Sequence, residues 1–308
     1  MTECERILKD GILPESFFKE EVICDFFVDS FRKRIWAVSL DLLFRFDEVC
    51  RKHQLKYTLA YGSLLGAIRH NGFIPWDDDI DIFMPREDYE KLKLLKDEFQ
   101  SPYFLQIPGQ NGYYFSFAKL RNSNTTSLSQ AFRYESFNQG FSLDIFILDS
   151  YNPETIDEDL ESVKTLVAEC SALMRRSCPH PSEKDLDFFR RFPVIRNGAE
   201  IIQEMDDILR KHEESGMDHY VCLCNLIYDY HRGLFYKKDI DEVQDILFYG
   251  HPVLIPLNYD SVLKTIYGDY MKLPPVEERG KWHSGSIYDP DRPYTEYVKE
   301  LWDKERNK

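Results

Sequence analysis

The sequence lacks the features that direct a chain into a membrane or onto a nucleic acid. No uninterrupted apolar stretch is long enough to cross a bilayer, and the first residues do not combine a basic start with an apolar core. Acidic residues outnumber basic ones, 54 to 39, for a formal net charge of -15. This excess disfavours nonspecific binding to nucleic acids or anionic lipids, although a local basic pocket for a phosphorylated ligand is compatible with it. We expect a cytoplasmic protein without a transmembrane segment; peripheral contact with the inner membrane face is an alternative.

Paired cysteines and internal repeats are also missing. The seven cysteines are odd in number and include no CxxC pair, so we expect reduced, mostly structural thiols. The sequence is rich in apolar residues. The 308 residues are 43% hydrophobic and 15% aromatic, which is enough for one large domain or two modest ones.

The central stretch of the chain is Tyr57–Met84, which is predicted to form a strand, a glycine turn, a short helix and an acidic strand. Residues of the first segment alternate as in a β-strand that ends at Gly62. Ser63 occupies the position of a helix N-cap. A glycine that permits close approach, followed by the free amides of a helix start, predicts a phosphate site.

Three carboxylates follow at strand spacing. Asp77, Asp79 and Asp81 would share one face of the strand, while Ile80 and Ile82 turn to the buried face. Crowded carboxylates repel one another or bind a cation, and oxygen ligands of this type suit Mg²⁺ or Mn²⁺. For Asp77 and Asp78 a solvated acidic turn is the alternative. Asp78 would point to the opposite face.

Two further segments carry charge inside predicted strands. Asp144 lies in the apolar strand Phe141–Asp149, where a carboxylate is costly without a partner; we expect the same cation, with hydrogen bonds as the alternative. Lys119 and Arg121 alternate at the end of the predicted strand Tyr113–Leu120 and precede a run of small polar residues. They are predicted to contact phosphate, or else form an ordinary basic strand end.

Amphipathic helices are predicted on both sides of this region. Phe31–His53 has a buried stripe, and its basic start, Arg32 to Arg34, is interpreted as a solvated face. Beyond residue 150 long helical patterns dominate, so we place a boundary there, between a core with an N-terminal helical arm (1–150) and a mainly helical part (151–308). The fold class is α+β. The aromatic-rich segment near the C-terminus is either core cover or a lid, and His283 within it is by default a structural or surface histidine.

The run AYGSLLGAIRHNGFIPWDDDIDIFM closely resembles the signature of the LicD family of phosphocholine transferases, which includes fukutin-related sugar-phosphate transferases and belongs to the nucleotidyltransferase-fold superfamily. Later blocks match in the same order: FAKLRNSNTT, FSLDIFILD and YGDYMKLPPVEERGKWHS. The similarity extends from about residue 30 to 285. It implies a nucleotidyltransferase-like mixed β-sheet flanked by helices. The cysteine cluster that binds zinc in some animal members has no counterpart, so no zinc is expected.

The resemblance implies transfer of phosphocholine from CDP-choline to a hydroxyl of a cell-surface glycan or a lipid-linked glycan precursor, with release of CMP. Asp79, Asp81 and Asp144 would hold Mg²⁺ (or Mn²⁺) and act in catalysis. The residues expected to contact substrate are Gly62, Ser63, Arg69, Trp76, Asp77, Lys119, Arg121 and His283. Trp76 and Trp282 are candidates for an aromatic cage around choline. Alternatives are another alditol phosphate, such as ribitol phosphate, from a CDP donor, or nucleotidyl transfer from a nucleoside triphosphate. A non-enzymatic binding module is disfavoured by the intact acids.

Overall fold

The computed structural model describes residues 1–222, 230–280 and 286–308 and contains both helices and strands. The helices are Glu3–Lys9 (α1), Ser30–Lys52 (α2), Tyr61–His70 (α3), Arg86–Leu94 (α4), Ile156–Arg175 (α5), Glu183–Arg191 (α6), Gly198–Arg210 (α7), Lys237–Ile240 (α8), Tyr259–Tyr267 (α9) and Tyr294–Arg306 (α10). The strands are Glu21–Ile23 (β1), Phe26–Val28 (β2), Thr58–Leu59 (β3), Ile80–Pro85 (β4), Tyr103–Gln106 (β5), Ala118–Asn122 (β6), Thr126–Ser129 (β7), Ser142–Ser150 (β8), His219–Val221 (β9), Leu234–Tyr236 (β10), Val243–Phe248 (β11), His251–Pro256 (β12) and Ser286–Asp289 (β13).

The main sheet is mixed and is organised around β8. On one edge β8 pairs in parallel with β4, which continues antiparallel to β3. Along the other edge β6 pairs with the first half of β8, and β9 pairs with its last two residues. β5 and β10 extend the sheet beyond β6 and β9. The predicted α+β class, with a mixed sheet flanked by helices, is confirmed.

Helix α2 forms the centre of the main hydrophobic core. Its apolar stripe includes Trp36, Leu40 and Leu43, all fully buried, and the helix packs against β4, β6 and β8. Asp29 caps its N-terminus by accepting a hydrogen bond from the Arg32 amide at 2.7 Å. The interpretation of Arg32 to Arg34 as a solvated face is wrong for the first two residues, because Arg32 and Lys33 are each only 3% exposed.

The second half of the chain adds a smaller core and also extends the main sheet. Helices α5 and α7 pack together through residues such as Val163, Ile201 and Met205. Strands β9 and β10 belong to the main sheet. Helix α9 ends at Tyr267, and the next residue, Gly268, has a φ of 67°, a positive value that glycine adopts readily and that stops the helix. The boundary near residue 150 stays a prediction.

Two predicted segments differ in the structure. The predicted strand Tyr113–Leu120 begins only at Ala118, because Gly109 and Gly112 adopt positive φ and a turn joins Gln110 to Tyr113. The run of small polar residues after Arg121 contains a strand, β7, which pairs with β13. Among the helices of the described ranges, none combines the length and apolar character needed to cross a bilayer.

Candidate active site

A row of three charged residues crosses the middle of the main sheet. Asp81 on β4 lies opposite Asp144 on β8, and Asp144 lies opposite Lys119 on β6. Paired residues of neighbouring strands point to the same face of a sheet. Ile80 and Ile82, which flank Asp81, are fully buried, as the predicted alternation requires. The structure therefore brings together three charged side chains that are up to 63 positions apart.

Asp144 is held by hydrogen bonds in this row. The Lys119 ammonium lies 2.7 and 2.6 Å from its two carboxylate oxygens, and the Ser142 hydroxyl donates to Oδ1 at 2.9 Å. Burial lowers the pKa of Lys119, and the attraction of Asp144 opposes this effect. The buried carboxylate thus has the compensation that its apolar strand requires.

Asp81 is poorly compensated by its neighbours. Burial raises its pKa well above the ordinary value, and the charges of Asp79, Asp144 and Asp77 raise it further, while Lys119 opposes them only as the smallest of these influences. A carboxylate that is buried among other carboxylates favours either protonation or a bound cation. The electrostatics of this position therefore fit a divalent metal ion.

The acidic loop before β4 adds three more ligand-bearing side chains. Asp77, Asp78 and Asp79 can each place one carboxylate oxygen within 4.8 Å of the other two. Because β4 begins only at Ile80, strand alternation does not apply here, and the expectation that Asp78 points away is wrong. Oxygen donors at this density match the preference of Mg²⁺ or Mn²⁺. Asp79 belongs to this loop, and its negative charge raises the pKa of Asp81.

Two buried residues of α2 anchor the acidic loop, and sequence reasoning missed both. The backbone carbonyl of Asp77 accepts hydrogen bonds from Trp36 Nε1 at 2.8 Å and from Arg32 Nη1 at 2.9 Å. The Trp36 ring is stacked on Phe73, with a centroid distance of 4.8 Å. The signal in the sequence was an indole and a guanidinium on the helix face that packs inward, since such groups need buried acceptors.

The Gly-Ser turn is tied directly to the acids. Tyr61 has a φ of 40°, which is uncommon for a residue with a side chain and reverses the chain sharply between β3 and α3. The helix begins at Tyr61, so Ser63 lies in its first turn and is not the N-cap that the sequence predicts; Ala60 has that place. The Ser63 hydroxyl accepts a hydrogen bond from the Asp81 amide at 2.9 Å. Movement of this turn would therefore move Asp81.

Gly62→Ala tests the close approach of the turn to the acidic loop. A Cβ at this position would lie 2.5 Å from Asp77 Oδ2, so the carboxylate must move away. We expect unfolding free energy to change by less than about 1 kcal/mol, because alanine favours the helix, and activity to fall roughly 10- to 100-fold, the usual cost of disturbing groups that orient metal ligands. Urea unfolding and turnover with Mg²⁺ measure the two effects.

Gly66→Ala is the matched control for this substitution. Its Cβ would meet the backbone carbonyl of Gly72 at 2.4 Å, which cannot move as easily as a side chain, so this variant should lose more stability than Gly62→Ala. Full activity in Gly62→Ala would show that the position of Asp77 does not matter for turnover.

The remaining predicted substrate contacts lie in different surroundings. Arg121 is buried next to the charged row, where it donates to Gln106 Oε1 and, at 2.6 Å, to the Gly140 carbonyl. Arg69 instead holds the C-terminal segment, with Nη1 2.7 Å from the Tyr270 carbonyl. The guanidinium of Arg279 lies 4.9 Å from the ring centroid of Trp76. His283 is outside the described residues.

A cavity of about 320 Å³ opens beside the acids. Its lining combines the acids Asp78, Asp79 and Asp144 with several aromatic rings. The complete lining consists of Asp78, Asp79, Phe115, Lys119, Arg121, Ser127, Ser129, Phe132, Phe137, Gln139, Phe141, Ser142, Asp144 and Tyr288. The predicted phosphate-contacting bases and two of the three predicted catalytic acids thus share one cavity.

Comparison with known proteins gives a family match over the residues that carry this site, and similarity to individual proteins. Residues 54–165 match the family model described as LicD/FKTN/FKRP, nucleotidyltransferase domain. The chain is 26% identical over 263 residues to the lipopolysaccharide cholinephosphotransferase LicD of Haemophilus influenzae, which covers 82% of this chain and 95% of that protein. It is also 33% identical over 115 residues to an uncharacterized protein of Rickettsia prowazekii, covering 37% of this chain and 40% of that protein.

Proposed function

We propose that this chain, whose residues 54–165 match the family model described as LicD/FKTN/FKRP, nucleotidyltransferase domain, is a phosphotransferase that moves phosphocholine from CDP-choline to a hydroxyl group of a glycan and releases CMP. The relative from Haemophilus influenzae is named for transfer of cholinephosphate in lipopolysaccharide. The proposed acceptor is accordingly a lipopolysaccharide-type glycan or a lipid-linked precursor of one.

The observation that supports this proposal most strongly is the charged row on the sheet beside the cavity. Asp81 and Asp144 are cross-strand neighbours, and Asp79 and Asp144 line a cavity that also contains Lys119 and Arg121. Carboxylates for a metal ion next to basic groups for phosphate are what a phosphoryl-transfer site needs. All of these residues lie in the segment that the family model covers.

Asp79, Asp81 and Asp144 are the residues that would hold Mg²⁺ or Mn²⁺. When bound, such an ion neutralises the charge that develops on the transferred phosphoryl group and on the leaving phosphate. The three carboxylates fit it because they are oxygen donors in an electrostatically undercompensated site, in which burial and neighbouring carboxylates raise the pKa of Asp81.

The protein groups around the acids would bind and orient the reactants. Lys119 and Arg121 would neutralise the donor diphosphate, and the amides of Gly62 and Ser63 at the start of α3 would donate to it. Asp144, fixed by Lys119 and Ser142, would accept the proton of the acceptor hydroxyl. The hydroxyl oxygen forms a bond to the phosphorus next to choline, and the bond from that phosphorus to the CMP oxygen breaks.

A donor comparison tests the proposed reaction. Purified protein is incubated with Mg²⁺, a lipopolysaccharide-type glycan acceptor and one of three donors: CDP-choline, CDP-ribitol or CTP. We expect CMP release and phosphocholine on the glycan with CDP-choline and with neither of the other two donors. Preference for CDP-ribitol would overturn the choline assignment, and release of pyrophosphate from CTP would replace group transfer by nucleotidyl transfer. Stabilisation of the fold by CDP-choline with Mg²⁺ in a thermal unfolding experiment provides a readout without an acceptor.

A further inference from the structure

The aromatic residues that line the cavity come from three separate segments of the chain. Phe115 comes from the loop before β6, and Phe132 and Phe137 come from the connection between β7 and β8. Phe141 stands directly before β8, and Tyr288 lies on β13, which pairs with β7. Five aromatic residues from distant positions therefore converge on one cavity.

Two ring pairs within this group meet edge to face. The ring of Phe115 meets that of Phe132 at 79° with a centroid distance of 5.1 Å, and that of Phe137 at 90° with a distance of 6.2 Å. Phe115 and Phe132 are partly exposed, whereas Phe137 is buried behind them. Neither of these two pairs offers the parallel faces between which a flat base would stack.

The charge of the lining also favours a cation. Three carboxylates, Asp78, Asp79 and Asp144, face two basic side chains, Lys119 and Arg121, so the lining carries a net formal charge of -1. The phenyl rings add the negative potential of their π-faces, which attracts cations within about 6 Å of a ring centroid. A rounded organic cation with apolar methyl groups matches both the rings and the charge.

We propose that Phe115, Phe132 and Phe137 form the subsite for the quaternary ammonium group of the donor, beside Phe141 and Tyr288, which stack on each other in the same cavity with a centroid distance of 5.6 Å. This inference rests on the proposed function, since it places the head group of CDP-choline. The diphosphate would then lie near Lys119, Arg121 and the acids, which line the same cavity. The subsite differs from the one that the sequence suggested at Trp76, which is not among the residues that line this cavity.

Phe115→Leu tests the subsite through donor use. Leucine keeps an apolar side chain but removes the π-face, so KM for CDP-choline should rise roughly 5- to 30-fold, the range that a cation–π contact of about 1 to 2 kcal/mol gives. Phe115→Tyr keeps the aromatic ring, so KM should stay near the value of the unchanged protein. Phe132→Leu should behave like Phe115→Leu. Phe44→Leu is the matched control, because Phe44 stacks on His251 outside this cavity.

Binding of head-group analogues provides a second readout that does not need turnover. Choline and its neutral carbon analogue 3,3-dimethylbutanol are titrated into the full chain by calorimetry. We expect choline to bind more tightly than the neutral analogue, and Phe115→Leu to remove most of that preference. Equal binding of the two probes to the unchanged protein would overturn the subsite.

The outcomes separate the subsite from the proposed function. If the unchanged protein releases no CMP from CDP-choline but binds choline selectively through Phe115, the transfer reaction fails and the subsite stands. If it releases CMP and Phe115→Leu and Phe132→Leu have unchanged KM, the reaction stands and the subsite is wrong.

Discussion

Asp81→Asn is expected to abolish turnover and at the same time to stabilise the metal-free protein. Asparagine keeps the size of the side chain but removes the charge that would bind the metal ion. Metal ions supply several kcal/mol of transition-state stabilisation, so turnover should fall about a thousandfold or more. Asp79→Asn should have a similar effect on turnover, because Asp79 lines the cavity and is the first of the neighbouring charges that act on Asp81.

The stability gain follows from the raised pKa of Asp81. Burial, then the charges of Asp79, Asp144 and Asp77, make the ionised carboxylate unfavourable in the folded state. The folded state therefore holds this proton to a higher pH than the unfolded state, and stability falls as pH rises from the ordinary aspartate pKa toward the raised one. Asp81→Asn removes this loss, so its melting temperature should exceed that of the unchanged protein at neutral pH and approach it near pH 4.

Thermal unfolding without metal and CMP release with Mg²⁺ measure these two effects. Asp187→Asn is the control, since Asp187 is on the surface of α6 and its side chain is 64% exposed. Full activity in Asp81→Asn would contradict the metal assignment. Lower stability at neutral pH would contradict the electrostatic argument.

Arg86→Met should be the most destabilising single substitution considered for this fold. Arg86 Nε lies 2.6 Å from Asp149 Oδ1, and Nη1 lies 2.7 Å from Asp206 Oδ1. The side chains of Arg86 and Asp149 are only 5% and 3% exposed, so the variant leaves a buried carboxylate without its partner. Loss of one member of a buried pair costs about 3 to 5 kcal/mol of unfolding free energy.

Urea unfolding of three variants separates this effect from a general loss of charge. Arg190→Met breaks a pair in which both side chains are more than 60% exposed and should cost less than about 1 kcal/mol. The double variant Arg86→Met with Asp149→Leu should regain most of the loss, because the buried carboxylate is gone and Asp206, whose side chain is 25% exposed, keeps Arg210 as a neighbour at 3.9 Å. A cost below about 1 kcal/mol for Arg86→Met alone would show that the buried pair does not hold α4 and β8 together.

The parts of the site that the sequence predicts are those with a clear local pattern. Asp81 and Asp144 stand out because each interrupts an apolar strand, and a charge there needs compensation wherever the strand packs. The alternation of charged and apolar residues along the predicted strand is what places Lys119 near phosphate. The structure adds that Lys119 lies opposite Asp144. Register between strands is a tertiary property, which no local pattern encodes.

The parts that the sequence does not predict depend on where one element ends and what another brings to it. The sequence predicts the wrong face for Asp78, because the predicted strand begins three residues before β4 does in the structure. Arg32 and Trp36 were not expected at the site, since their hydrogen-bond acceptor lies more than 40 positions away. The cluster of Phe115, Phe132 and Phe137 forms only when loops of irregular backbone converge, and such loops carry no periodic signal.

Anomalous scattering from crystals soaked with Mn²⁺ and CDP-choline tests the central claim, that the acids hold a divalent cation against the donor diphosphate. The account predicts a manganese peak bonded to carboxylate oxygens of Asp79 and Asp81 at about 2.1 Å, close to the distance between Mg²⁺ and its oxygen ligands, and bonded to the diphosphate as well. A donor bound with its diphosphate away from these acids, or manganese bound elsewhere in crystals that release CMP, would contradict it.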